Sequence, residues 1–303
     1  MLAAKEMPAQ PNQRHEMPMT IAKLSRRYAA AAVTIGLLLF LQLGQGTAAQ
    51  AEQAGGALAY SPQTDALYRS DGEVLYRSSD AGKQWTKVTL PSSAGNVLVS
   101  AIAVSPVGQG ALYVAGRGVG VLKSIDAGNT WVAIVDGLPS DDVIALAAHS
   151  TAPDTVYAVL AGQGIYRSED GGKSWRNVDK GPKAQIRQLV HSNLEGSMQS
   201  GWLFAATDQG VYRAMDCFCG FRKAGKLPGP VSAVAHDPKQ PKELYASAGN
   251  QVFATANGGE EWEAAGSPGG EVRALAHTGS GVLHALLADG RVVRSTDKGR
   301  RWE

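Results

Sequence analysis

Residues 165–175 read Ile-Tyr-Arg-Ser-Glu-Asp-Gly-Gly-Lys-Ser-Trp, a short apolar run followed by a polar turn of the form Ser-x-Asp-x-Gly-x-x-Trp. Four intact copies of this turn occur: Ser78-Asp80-Gly82-Trp85, Ser124-Asp126-Gly128-Trp131, Ser168-Asp170-Gly172-Trp175 and Ser295-Asp297-Gly299-Trp302. Two softened copies complete the series, Thr255-Asn257-Gly259-Trp262 and Ala214-Asp216-Phe221, the second without its glycine. The copies start at 78, 124, 168, 214, 255 and 295, a period of 40 to 46 residues. A period of that length marks a repeat architecture in which each unit buries its apolar face against the next.

The segments between turns share one grammar. A small-and-aliphatic first strand (Val99–Val104, Val143–Ala148, Ile186–His191, Val231–His236, Val272–His277) is preceded by a shorter relative at Ala57–Tyr60. Second strands follow at Ala111–Val114, Thr155–Val159, Trp202–Ala205 and Glu243–Ala246. Third strands at Val74–Arg77, Val121–Lys123, Ile165–Arg167, Val211–Arg213, Val252–Phe253 and Val292–Arg294 lead into the turns, and a fourth strand begins at each Trp. Short β-rich runs divided by Gly, Pro, Asn and Asp at even spacing indicate an all-β repeat. Six repeats of four strands predict a six-bladed β-propeller over residues 52–303, a single domain.

The turn needs no ligand to account for it. Its Asp can accept backbone N–H groups a residue or two ahead, its Gly supplies a backbone angle costly for other residues, and its Trp buries a large face between blades. These are the residues of Asp-box, or BNR, repeats, and the chain resembles that superfamily over about residues 57–303: sialidase-like propellers, sortilin-type receptor domains, xyloglucan-cleaving enzymes and the photosystem II assembly factor. The resemblance implies the propeller with Asp-box turns. It leaves activity open, since the fold carries many functions.

Ahead of the repeats, Lys23, Arg26 and Arg27 precede an apolar run from Tyr28 to Leu43, and small residues around Ala49-Gln50-Ala51 follow. This is the order of a secretory signal, expected to end after Ala51, with a retained anchor over residues 28–44 as the alternative. Met19 would open a signal of more ordinary length, and Ser25-Arg26-Arg27 is a weak match to twin-arginine export. Export predicts a periplasmic or extracellular protein. Residues 1–51 hold five bases and two acids, so 24 of the 29 bases remain beside 25 of the 27 acids. A nearly neutral domain argues against nucleic acid, and against a membrane surface except through the leader.

Catalytic residues are not evident. The sialidase resemblance implies three arginines, a Tyr-Glu pair, an Asp acid and a Phe/Tyr-Arg-Ile/Leu-Pro motif ahead of the first box. That motif is missing, its nearest lookalike being Phe221-Arg222-Lys223. Arg77, Arg167, Arg213 and Arg294 recur at one register of the third strand, which argues for scaffold. The xyloglucan enzymes need two facing propellers, and the assembly-factor resemblance lacks a dense arginine patch in the loops. Arg117, Arg187 and Arg273 are candidates for an anion site on the face opposite the boxes, beside the alternative of solvated strand-end arginines. His191, His236 and His277 share a register on successive blades, but blades stacked roughly 10 Å apart separate them too far for one zinc ion. No metal and no cofactor is therefore expected. Cys217-Phe218-Cys219 flanks the place of the missing glycine, a candidate disulfide or redox pair in an oxidising compartment.

After Trp302 only Glu303 follows, so blade six is expected to show an open edge along Val292–Arg294, filled by a partner or by residues 45–56 of a retained leader. The reading that follows is an exported, non-catalytic propeller serving as a protein-interaction scaffold, assembly factor or accessory subunit of an envelope complex. The alternative is a carbohydrate-binding or sialidase-type propeller. Five of the six tryptophans are assigned to boxes and Trp202 to a strand, which leaves few for sugar stacking.

Overall fold

The computed structural model describes residues 56–91 and 98–303. The leader over residues 1–51, the anchor alternative 28–44 and all but the last residue of the strand-filling segment 45–56 lie outside the described residues. The described chain forms an all-β six-bladed propeller, with no helix among the described residues.

Blade one comprises β1 (Ala57–Ser61), β2 (Ala66–Ser70), β3 (Leu75–Ser78) and β4 (Thr86–Val88). Blade two holds β5 (Leu98–Val104), β6 (Leu112–Arg117), β7 (Gly120–Ser124) and β8 (Val132–Ala133). Blade three holds β9 (Val143–Ala148), β10 (Val156–Leu160), β11 (Gly164–Ser168) and β12 (Arg176–Asp179). Blade four holds β13 (Ile186–Ser192), β14 (Trp202–Thr207), β15 (Gly210–Met215) and β16 (Arg222–Lys223). Blade five holds β17 (Ala233–Asp237), β18 (Gln240–Ala248), β19 (Gln251–Thr255) and β20 (Glu263–Gly266). Blade six holds β21 (Val272–His277), β22 (Leu283–Leu287) and β23 (Val292–Ser295). Each blade is an antiparallel meander in sequence order, and β1 and β21 pack together to close the ring.

Sheet stacking explains the composition. Second strands are mainly apolar and largely buried on both faces, as in Val156–Leu160 and Leu283–Leu287, because a neighbouring blade covers each side. First strands converge on the axis, where room is least, and repeat Ala-aliphatic-Ala: Ala57-Leu58-Ala59, Ala101-Ile102-Ala103, Ala145-Leu146-Ala147, Ala233-Val234-Ala235 and Ala274-Leu275-Ala276. Apolar clusters fill the interfaces, with Tyr113, Val121, Ile134, Leu160 and Trp175 between blades two and three. Leu58, Ala274, Ala276 and Leu286, joined by Trp85 and Val292, fill the junction of blades six and one.

The boxes are turn staples, with geometry that differs in one respect from the sequence expectation. The Asp accepts the backbone N–H four residues ahead, not one or two: Gln84, Thr130, Ser174 and Arg301 donate to Asp80, Asp126, Asp170 and Asp297 at 2.8–3.0 Å. The Ser hydroxyl donates to that Asp and accepts the Gly N–H, as in Gly172 to Ser168 at 2.7 Å. Thr255 and Asn257 reproduce the pattern in the softened fifth box. These accepted bonds hold the Asp126 carboxyl down at about 2, led by the Thr130 hydroxyl.

Three third-strand bases bridge neighbouring blades. Lys123 donates to the Gly171 carbonyl, Arg167 to the Asp216 carbonyl and Arg213 to the Gly258 carbonyl, each reaching the box of the following blade. Blade six has three strands among the described residues. Its outer neighbour is the single residue Glu303, whose backbone exchanges two hydrogen bonds with Arg294 at 2.9 and 3.0 Å.

Candidate functional site: a buried acid–base cluster beside a divided channel

Two polar features lie at or beside the axis, and both depend on departures from the repeat. The first is in blade four. Ala214 brings no hydroxyl to the box, and Phe218 occupies the glycine position with φ 58°. Asp216 therefore does not close its own turn, which corrects its assignment as a turn staple. Its side chain is buried, 1% exposed, and accepts from the backbone N–H of Ser200 at 3.0 Å and the Ser200 hydroxyl at 2.5 Å.

Two imidazoles meet this carboxylate. His149 Nε2 is 3.8 Å and His191 Nε2 3.7 Å from Asp216 Oδ2, and the two rings stack with centroids 3.8 Å apart. Tyr157 stacks on His191, and Phe218 packs against Tyr157. Gly201 makes room: a Cβ there would lie 2.7 Å from His191 Cε1 and 2.2 Å from the Ser192 carbonyl. Phe221 takes the place of the box Trp and, with Phe218, joins the apolar cluster between blades three and four.

The tautomers follow from the partners. His149 Nδ1 accepts the backbone N–H groups of Thr151 and Ala152 at 3.1 and 3.0 Å, and His191 Nδ1 accepts that of Ser150 at 3.2 Å. Each neutral ring must then carry its proton on Nε2, facing Asp216. His149 Nε2–H donates to the Ser200 hydroxyl at 2.7 Å, and that hydroxyl donates to Asp216. Burial, followed by the neighbouring His191, holds His149 down at about 4. Burial also lowers His191; at Asp216 burial acts to raise the carboxyl but is outweighed by the nearby His191 ring and the Ser200 hydrogen bonds, which keep it ionised.

This arrangement limits the chemistry. His149, His191 and Asp216 are close enough together to surround one metal ion. A ligating imidazole, however, leaves its coordinating nitrogen bare and donates from the other, whereas here Nδ1 of each ring accepts backbone N–H groups and the Nε2 facing Asp216 carries the proton. The residues do not fit a metal in this state. Nor is Ser200 an activated nucleophile, because its proton is directed to Asp216 and His149 acts on it as a donor, the reverse of a general base. The sequence reading missed His149 and Ser200. A signal existed: the residue ending or following the first strand is Ser61, Ser105, Ser192, Asp237 or Thr278 in the other blades, and an imidazole only in blade three.

The second feature is the channel. Where other first strands carry Ala, blade four carries Gln188, which donates to the Leu275 carbonyl of blade six at 3.2 Å and accepts the Val234 N–H of blade five at 3.3 Å. With Leu58, Ile102, Leu146 and Leu189 it borders a cleft of about 30 Å³ on one side and a chamber of about 350 Å³ on the other. Arg187 and Arg273 line the small cleft. Arg117 is not among its walls and pairs with Asp142 at 3.2 Å, so the three candidate arginines do not form one site. His191, His236 and His277 line the chamber on the box side. The three do not converge on one point; the cluster that forms takes His149 with His191 instead.

Cys217 and Cys219 are free thiols, Cys219 exposed, and the hydrogen bond from Cys217 raises the Cys219 thiol. Cys217 and Cys219 are not bridged, and within the fourth turn the Phe218 N–H donates to the Met215 carbonyl at 2.9 Å.

The sequence model of the Sortilin-Vps10 family (sortilin, neurotensin receptor 3) matches residues 73–186, less than half of the chain. No curated protein matches. Among solved structures, a GH74 enzyme from Niastella koreensis is 18% identical with a TM-score of 0.55, over 81% of this chain and 46% of that one. YCF48 bound to D1 peptide is 14% identical with a TM-score of 0.51, over 80% of this chain and 93% of that one. A chain of the nidogen/laminin complex is 12% identical with a TM-score of 0.60, over 76% and 88%. The chain spans under half the length of the GH74 structures it matches. At these identities the likeness is one of fold: a β-propeller similar to Sortilin-Vps10, GH74 and YCF48 proteins.

Proposed function

We propose that the chain is an exported, non-catalytic propeller that presents a rigid disc to a protein partner, as an assembly factor or accessory subunit of an envelope complex. The observation that carries this reading is the state of its buried acid–base cluster. His149 Nε2–H donates to the Ser200 hydroxyl, that hydroxyl donates to Asp216, and His191 Nε2 lies 3.7 Å from the same carboxylate, so the groups that could perform acid–base work are engaged with one another where blades three and four meet. Two of the similar folds, YCF48 with D1 peptide and the nidogen/laminin complex, come from structures of complexes, which supports a docking role. The outer edge of β23, beyond the Arg294–Glu303 pair, can accept a further strand from this polypeptide or from the partner.

The carbohydrate reading has less support. All six indole N–H groups donate within the chain, to the carbonyls of Gly82, Gly128, Ile134, Glu195, Ala224 and Gly299, and none of the six rings is fully exposed. Affinity purification of the tagged full-length protein from its native membranes, with mass spectrometry, should return a reproducible partner in near-stoichiometric amount. A clean monomer that binds glycans on an array would overturn the proposal.

A further inference from the structure

Five of the six blade junctions are covered in one way. In blades one to five the fourth strand opens on the pairs Arg77–Thr86, Lys123–Val132, Arg167–Arg176, Arg213–Arg222 and Ala254–Glu263. Two residues further on comes an apolar side chain: Val88, Ile134, Val178, Ala224 or Ala265. It leans on the turn of the next blade. Val88, Ile134, Ala224 and Ala265 lie against the box glycines Gly128, Gly172, Gly259 and Gly299, and Val178 joins the apolar cluster of Phe218 and Phe221. The same stretch of backbone takes the next indole N–H at three junctions, Trp131 donating to the Thr89 carbonyl at 3.2 Å, Trp175 to Ile134 at 2.8 Å and Trp262 to Ala224 at 2.8 Å. All four of those glycines are buried, and the third-strand residues at this level, Leu75, Val121, Ile165, Val211 and Val252, are at most 2% exposed.

The junction of blades six and one begins the same pairing, with Glu303 opposite Arg294, and among the described residues the edge of β23 beyond that pair is open. Its matching positions are less covered. Gly82 and Val292 are each half-buried, and Trp85 donates to the Gly82 carbonyl of its own turn at 3.0 Å. Arg294 and Glu303 exchange both backbone hydrogen bonds, so the N–H and C=O of Val292, two residues away on the strand, face the same open edge. At the corresponding place Ile134 N–H donates to the Val121 carbonyl and Ala224 N–H to the Val211 carbonyl, each at 2.9 Å.

We propose that an extended segment of the protein partner adds antiparallel to β23 as the fourth strand of blade six and seats an Ala, Val or Ile side chain over Gly82 and Trp85. The N–H of that residue donates to the Val292 carbonyl, and its own carbonyl accepts from the Trp85 indole. Main-chain bonds supply the attachment and the seated side chain the selectivity, as in other cases of strand addition. The inference rests on the docking reading above and names the surface and the chemistry of the segment. In blades one to five the covering residue lies 7 to 10 residues ahead of the next first strand, as Val88 before Leu98 and Ala265 before Val272. Counted back from Ala57, that place falls at residues 47–50, ahead of the cut expected after Ala51, so in the exported protein the strand comes from the partner.

¹H–¹⁵N NMR of the exported protein with a capped peptide of its own residues 87–91, Lys-Val-Thr-Leu-Pro, tests the edge. The Trp85 indole and Val292 amide signals should shift, and the peptide should bind at least about tenfold more tightly than its Val88→Asp counterpart. A protein carrying these five residues appended after Glu303 should no longer bind the peptide. Pulled down from native membranes, it should recover the partner at least about tenfold less than the unextended protein, while a Gly-Ser-Gly-Ser-Gly tail leaves both readings unchanged. No peptide binding, equal affinity for the two peptides, or shifts that spare Trp85 and Val292 would each overturn the inference. Partner recovery undiminished by the strand tail would overturn it and leave the docking reading standing on another surface. Absence of any partner from every version of the protein would overturn both.

Discussion

At Asp216 two substitutions, Ala214 for the box serine and Phe218 for the box glycine, release a carboxylate that the four intact copies use within their own turns. It then serves Ser200 and faces two imidazoles. Asp216→Ala would leave the Ser200 N–H and hydroxyl without their acceptor and remove the carboxylate that His191 faces, at a cost of about 1–3 kcal/mol. Urea unfolding should show a larger loss for Asp216→Ala than for Asp126→Ala, whose carboxylate lies at the solvent-facing turn; the opposite order would place Asp216 back among the turn staples. Acid should act through the histidines. His149, His236 and His284 are held at about 4 in the fold, chiefly by burial, while the unfolded chain takes up these protons near 6.5. The unfolded state therefore binds more protons between about pH 6.5 and 4, and linkage makes stability fall as pH falls through that window. Melting temperatures at pH 7.5, 6.0 and 4.5 should drop progressively, and a flat profile would mean the imidazoles are not buried neutral.

Among the turns, identical sequence positions carry different packing loads. Gly82 and Gly172 hold the same box position with φ 89° and 95°. An alanine Cβ at Gly82 would meet nothing nearer than 3.6 Å, whereas at Gly172 it would lie 2.3 Å from Ile134 Cδ1. Both Gly→Ala changes pay the left-handed backbone strain of about 1 kcal/mol, and Gly172→Ala adds overpacking of about 1–3 kcal/mol. Thermal unfolding of the two variants should separate them by that difference. The elements themselves were largely legible: the period of the turns marks six blades because five of the six copies repeat the same local turn and the fourth keeps its place in the series, and most predicted strands lie within a residue or two of the observed ones. The cluster was not legible, because His149, His191, Ser200 and Asp216 are brought together by strand pairing and blade stacking, which no local pattern encodes. Gln188 in an alanine register and His149 in a hydroxyl register were the available signals. Cys217-Phe218-Cys219 drew attention to the right turn through the wrong residues, since the middle Phe218 and the preceding Asp216 do the packing and bonding.

For the molecule as a whole, closure depends on six similar interfaces, each bridged by apolar side chains and, in three successive blades, by Lys123, Arg167 or Arg213 reaching the next box. A ring of this kind makes a stiff platform, and its likeness to folds as different as GH74 enzymes and YCF48 shows that the platform does not determine the work. Whether this copy works by chemistry or by docking turns on its buried acid–base cluster. Long-range ¹H–¹⁵N NMR of the full-length protein labelled at histidine ring nitrogens reads that cluster directly. At pH 7 His149 and His191 should both show the neutral Nε2–H tautomer, unchanged on addition of zinc. An Nδ1–H tautomer, an imidazolium, or a zinc-induced shift at either ring would contradict the account and reopen a catalytic or metal-binding role for Asp216.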